Sequence, residues 1–173
     1  MGIAIFNGDK LVGELNNLET LCHLIICNKL DTAVITVPSP LEHNENISLS
    51  ISFYNKTSNK VELINNYPYI KCNVQIAANV DTMDYEIDLT NKQNLQKIED
   101  SLEEYLENNI YEYLYKTSKE FNSDIAGFGK SVVPKYLTWE SWKNSDWLNN
   151  YKNAVFKVSV HATVESGYLY NKI

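Results

Sequence analysis

His23 stands beside Cys22 and four residues before Cys27, and a Zn²⁺ centre is the chemistry that such a trio would do. Zinc takes four ligands, usually in pairs spaced by two to four residues. Here the two cysteines fall in a helical stretch where their side chains point about 140° apart. Core packing is the better reading, with no metal and no cofactor. Gly127-Phe128-Gly129-Lys130-Ser131 has the residue types of a phosphate loop, but that loop needs four residues between its glycines and a strand before them. A helical pattern precedes this one, and Val132 breaks the dinucleotide fingerprint as well. The glycines serve a left-handed cap and a close backbone approach. His23, His43 and His161 are the histidines of the chain, and no local pattern pairs them with a nucleophile and an orienting acid. A hydrolase would need His161 brought beside both, so no catalytic residue is assigned.

Two polar groups point to binding instead. Glu99, Asp100, Glu103, Glu104 and Glu107 crowd what reads as the outer face of a long helix, with like charges three and four apart. They form a solvated face or a docking surface for a basic loop. Ser48, Ser50, Ser52, Asn73, Gln75, Asn79, Ser159 and Thr163, with His161 among them, lie on the polar side of a sheet and are short and mostly uncharged. Such groups exchange water for a partner at little cost. Trp139, Trp142 and Trp147, with Tyr136 and Tyr151, pack into the core by default; a tryptophan left exposed would mark a protein or bilayer contact.

These side chains have to be positioned by the elements around them. The 173 residues are 44% hydrophobic and 21% charged, enough for one domain, 1–173, with a real core. A net charge of −7 leaves no basic stripe for nucleic acid and works against docking on an anionic leaflet. Three cysteines give no disulfide framework. No apolar run reaches the roughly 18 residues of a membrane span.

Asn7-Gly8 predicts a type I′ turn between strands at Ile3–Phe6 and Lys10–Leu15. A helix follows over Leu18–Leu30 with Asn16 or Asn17 as its cap, then a strand over Thr32–Val37 ending at Pro38-Ser39-Pro40. Period-two alternation marks Ile47–Tyr54, and Asn55–Asn59 predicts a turn. Alternation returns over Ile70–Val80, the longest predicted strand, and again over Ala154–Glu165. Both predict antiparallel pairing with one face buried. Between them Thr90 and Gln93 predict a capping box for one long helix over Asn91–Asn122, striped by Leu95, Ile98, Leu102 and Leu106. Ser123 to Gly129 ends it, Pro134 closes a short piece, and Thr138 with Ser141 opens a Trp-rich helix reaching Asn150. The fold class is α+β: a largely antiparallel sheet with one long and several short helices on one face.

Particular stretches of this chain resemble the C-terminal domain of the Ger(x)C family of spore germination proteins. They are the arm Asp9-Lys10-Leu11-Val12-Gly13 with Leu15-Asn16 and Glu19-Thr20, the helix start Asp88-Leu89-Thr90, and Ser123-Asp124-Ile125 leading to Gly127-Phe128-Gly129. The resemblance implies the C subunit of a nutrient germinant receptor, a lipoprotein on the outer face of the spore inner membrane beside the A and B membrane subunits. It implies a non-catalytic scaffold with membrane association only through the lipid anchor, and a chain that here lacks signal peptide, lipidated cysteine and N-terminal domain. Asp124 and Phe128 join Ser48, Ser50, Ser52, Asn73, Gln75, Ser159 and His161 as expected partner contacts. The alternative is a nutrient sensor with a pocket between helices and sheet. The chain departs from the family where Glu14 replaces a Trp, where Pro134 interrupts a helix, and at Glu165-Ser166, where a basic pair is usual.

Overall fold

The computed structural model describes residues 2–7, 9–65, 67–83 and 87–165. β1 (Ile3–Asn7) and β2 (Lys10–Leu15) form an antiparallel hairpin with a bulge between Ile5 and Phe6. Gly8 of its expected turn lies outside the described residues. Gly13 is required by close packing, because a Cβ there would sit 2.2 Å from the Phe121 ring. Asn16 caps α1 (Asn17–Ile26) through a capping box with Glu19, which the sequence signal did not include. Lys116 then bonds Glu19 at 2.7 Å, tying α1 to the long helix.

β3 (Thr32–Pro38), β4 (Asn46–Ile64), β5 (Tyr67–Met83) and β6 (Val155–Glu165) make a four-stranded sheet in that order. Two expectations fail here. The stretch Asn55–Asn59 does not turn the chain: β4 continues through it with bulges, and β4, not the Ile70–Val80 run, is the longest strand. The turn-type residues have other work. Thr57 Oγ1 donates to the Ile25 carbonyl at 2.9 Å, Asn59 Nδ2 to Ile26 at 2.8 Å, and Asn28, in left-handed conformation, brackets Thr57. They satisfy the open carbonyls at the end of α1. Second, β5 and β6 pair parallel. Period-two alternation records only that one face is buried, and the long helix supplies the crossover that a parallel pair needs.

That helix, α2 (Lys92–Tyr115), winds on through a π-helical turn, Lys116–Glu120, and ends at Asn122, whose φ is 47°. Its cap is Asn91, which accepts from the Gln93 amide; Thr90 instead bonds Asp88, so the expected capping box is absent. Ile98, Leu102, Leu106, Ile110, Tyr113 and Leu114 are buried against Ile47, Leu49, Ile51, Ile70, Val74, Ile76 and Val160 of the sheet's inner face. Three short helices follow, α3 (Gly129–Val132), α4 (Trp139–Asn144) and α5 (Trp147–Tyr151). Asp146, at φ 46°, breaks the expected single Trp-rich helix in two. The fold is α+β with a mostly antiparallel sheet and the helices on one side.

Candidate functional site

Strand alternation places every second side chain of β4, β5 and β6 on the face away from α2. The registers align them in rows across the sheet: Ser58, Asn73 and Ser159; Asn55, Gln75 and His161; Ser52, Ala77 and Thr163; Ser50, Asn79 and Glu165. β3 extends two of these rows with Thr32 and Val34, and Thr36 pairs with Ser48. All seven sheet residues expected to touch a partner therefore lie on one open face. Three are engaged within the chain: Ser48 meets Thr36 at 3.2 Å, Ser50 donates to Asp81, and Gln75 accepts from Asn55 at 2.7 Å. Among the described residues Ser52, Asn73 and Ser159 have no side-chain partner. His161 is 73% exposed, with Nδ1 3.9 Å from Glu103.

Asp124 and Phe128 lie elsewhere. Asp124 Oδ1 accepts the Phe128 amide at 2.9 Å, and Oδ2 accepts the Gly129 amide at 2.7 Å and the Trp147 indole at 2.9 Å. The carboxylate thus fastens the Gly-Phe-Gly turn to α5. Gly127 takes φ 76°, and a Cβ on Gly129 would approach the Trp147 indole nitrogen to 2.7 Å, so each glycine answers to a geometric demand. Phe128 is 4% exposed and packs against Tyr151, their ring centres 6.2 Å apart. Trp142 and Trp147 join the same aromatic stack, while Trp139 and Leu137 are exposed.

His23 shares a 2.8 Å hydrogen bond with the Tyr113 hydroxyl, and burial lowers its pKa. Burial pushes the Cys22 and Cys72 thiols up to about 12, which keeps them protonated. They behave as small apolar core groups rather than thiolate ligands. Among the described residues no cluster of three His, Cys, Asp or Glu side chains is arranged to hold a metal.

The acidic helix face differs most from expectation. Glu99, Glu103 and Glu107 do not face solvent alone: they accept the backbone N–H groups of Val164, Ala162 and Val160 at 2.9, 2.9 and 2.8 Å. Carboxylates four apart on a helix rise about 6 Å per step, and alternate N–H groups of a strand recur every 6.6 Å or so, so the two series stay in step. The three glutamates close the outer edge of β6 from Val160 to Val164. Asp100 and Glu104, one position on, are exposed.

The opposite edge is different. Ser39 N–H donates to the Glu45 carbonyl at 2.9 Å, which fixes the odd-numbered residues of β3 as those bonded to β4. Thr32, Val34 and Thr36 therefore turn their peptide groups outward. Beside them a groove of about 660 Å³ runs between α1 and β3, lined by Leu18, Leu21, Leu24, Ile35 and Tyr105 among others. Polar rows on one face of the sheet and helices on the other define an α+β domain.

The chain belongs to the spore germination B3/GerAC-like family, C-terminal, whose model matches residues 1–167. Among solved structures it is similar to the GerBC protein, with a TM-score of 0.77 at 20% identity over 94% of this chain and 50% of that one. That likeness is one of fold, and this chain spans half the length of the solved one. No curated protein sequence matches it. Among the described residues no helix is long and apolar enough to cross a membrane.

Proposed function

We propose that this domain is a non-catalytic docking module of a spore germinant receptor C subunit. It would hold the receptor's A and B membrane subunits, or other germination proteins, against the open face of its sheet. Family membership supports the setting, and the full-length protein would be held by its lipid anchor on the outer face of the spore inner membrane. The observation that carries the reading is the face itself: rows of Ser, Asn, Gln, Ala and Thr in register on three strands, uncovered by any helix among the described residues. Short uncharged groups desolvate cheaply and rebond to a partner. The contact set we propose is Ser48, Ser50, Ser52, Asn73, Gln75, Ser159 and His161. Asp124 and Phe128 are left out because their side chains are engaged in the turn and the core.

The test places a bulky charge in the middle of the face. Ser52→Arg with Ala77→Arg should lower the A subunit retained in spore inner membranes and slow the response to nutrients. Circular dichroism of the purified double variant checks that the fold is kept. Unchanged A subunit and a normal response would overturn the proposal.

A second reading rests on the groove beside α1. Its volume suits a small molecule, and Lys29 and Asp31 stand with the leucines around it. A nutrient sensor would show saturable shifts of the Leu21, Leu24 and Ile35 methyl resonances on titration with single amino acids or sugars.

A further inference from the structure

One row of the open face is unlike the others. The register sets Lys60, Lys71 and Lys157 directly opposite one another on β4, β5 and β6. Neighbouring strands lie about 4.8 Å apart, and like charges facing each other across strands destabilise a sheet. In a chain of net charge −7 this row gathers three lysines onto one line. Among the described residues a single acid answers it, Glu62, bonded to Lys71 at 3.1 Å. The Lys71 ammonium also lies 5.2 Å from the centre of the Tyr69 ring. On one side the row is flanked by Tyr69 and Val155 and then by Ile64 and Tyr67, of which Ile64, Tyr67 and Val155 are more than half exposed. On the other it meets Ser58, Asn73 and Ser159.

We infer that this end of the face receives an acidic segment of a partner protein, its carboxylates lying along the lysine row and its apolar side chains on Tyr67, Ile64 and Val155. The inference rests on the docking reading above and adds the chemistry of the partner. Three ammonium groups span about 10 Å across two strand spacings, against about 12 Å for three carboxylates four apart on a helix or 13 Å for three on alternate residues of a strand. Either form covers the row. A lipid leaflet is the weaker occupant, because three lysines opposed by Glu62 fall short of the roughly four to eight basic residues that hold a protein on anionic lipid. Aromatic and aliphatic groups beside the charges suit the centre of a protein interface.

The probe is a fluorescein-labelled peptide of alternating glutamate and serine, followed by anisotropy with the intact chain at about 50 mM salt. Binding should weaken several-fold at physiological salt, as expected for contacts between exposed charges. Lys60→Gln with Lys157→Gln should weaken it about tenfold, while Lys130→Gln with Lys143→Gln leaves it unchanged. The first double variant should melt no lower than the native chain, since it relieves repulsion, which separates lost binding from lost folding. Equal binding by both double variants would overturn the inference. So would capture of phosphatidylglycerol vesicles through the same lysines without capture of the peptide. In spores, loss of A-subunit retention in the Ser52/Ala77 variant with full retention in the Lys60/Lys157 variant would sink the acidic partner and keep the docking face. No loss in either would sink both.

Discussion

The two edges of the four-stranded sheet both turn peptide groups outward and treat them in opposite ways. On β6, Val160, Ala162 and Val164 donate to Glu107, Glu103 and Glu99 of the helix that runs alongside. On β3, Thr32, Val34 and Thr36 turn outward toward a groove, with Pro38, which has no N–H to offer, at the end of the row. An unpaired edge is a template for another chain. The difference teaches that a helix can protect a strand without covering it by side-chain bulk: acceptors at a matched rise suffice.

Proline substitution breaks the symmetry most sharply. Ala162→Pro removes the N–H that Glu103 accepts and should cost the most stability of these variants, whereas Val34→Pro removes an N–H that no described residue accepts and should cost far less. Urea unfolding of the two variants reads the gap, and equal losses would mean that the β3 groups are bonded after all. Next in size, Glu99→Ala with Glu103→Ala and Glu107→Ala strips the acceptors and should cost about 3 kcal/mol, roughly one for each orphaned donor. It should also turn β6 into a second open edge, seen as concentration-dependent light scattering. The corresponding triple Gln variant keeps an acceptor oxygen at each place and should lose far less; a loss as large as the Ala triple would show that charge, not acceptance, closes the edge.

The smallest effect concerns pH and belongs to the contact between α1 and α2, where His23 meets Tyr113. Burial favours the neutral form of His23, so its folded pKa lies below the ordinary value near 6.5. The unfolded chain binds that proton first as pH falls. The contribution is therefore complete above about 6.5, declines as pH drops below it, and levels off beneath the folded value. His23→Gln should flatten this part of the stability curve. Protection factors of the α1 amides, which remove the base-catalysed intrinsic rate, should fall as pH drops below about 6.5 in the native chain, with those of α2 and β6 lagging behind.

Much of the framework was legible, and the reasons for the rest are specific. Alternation in Ile47–Phe53, Ile70–Val80 and Ala154–Val164 marked the inner face, and the stripe through Ile98, Leu102 and Leu106 marked the helix that covers it. Alternation carries no strand direction, so the parallel β5–β6 pair was invisible until the crossover was seen. Asn55–Asn59 has turn composition because its side chains bond helix carbonyls thirty residues away, an effect no local window detects. The four-residue spacing of Glu99, Glu103 and Glu107 was in view, but the donors that explain it lie more than fifty positions later. The lysine row is hidden for the same reason, since Lys60, Lys71 and Lys157 meet only through register. Asp124 carried one faint local signal, an acid four residues before Phe128 and five before Gly129, which suits a side-chain cap on the turn that follows.

In the language of polymer chemistry, the glutamate series makes this sheet a monofunctional monomer. Growth by strand addition requires two reactive ends, and here one of them is terminated within the chain. Two copies that met through β3 would consume the open edge of each and stop at a pair, so strand addition through this sheet favours pairing over a fibre.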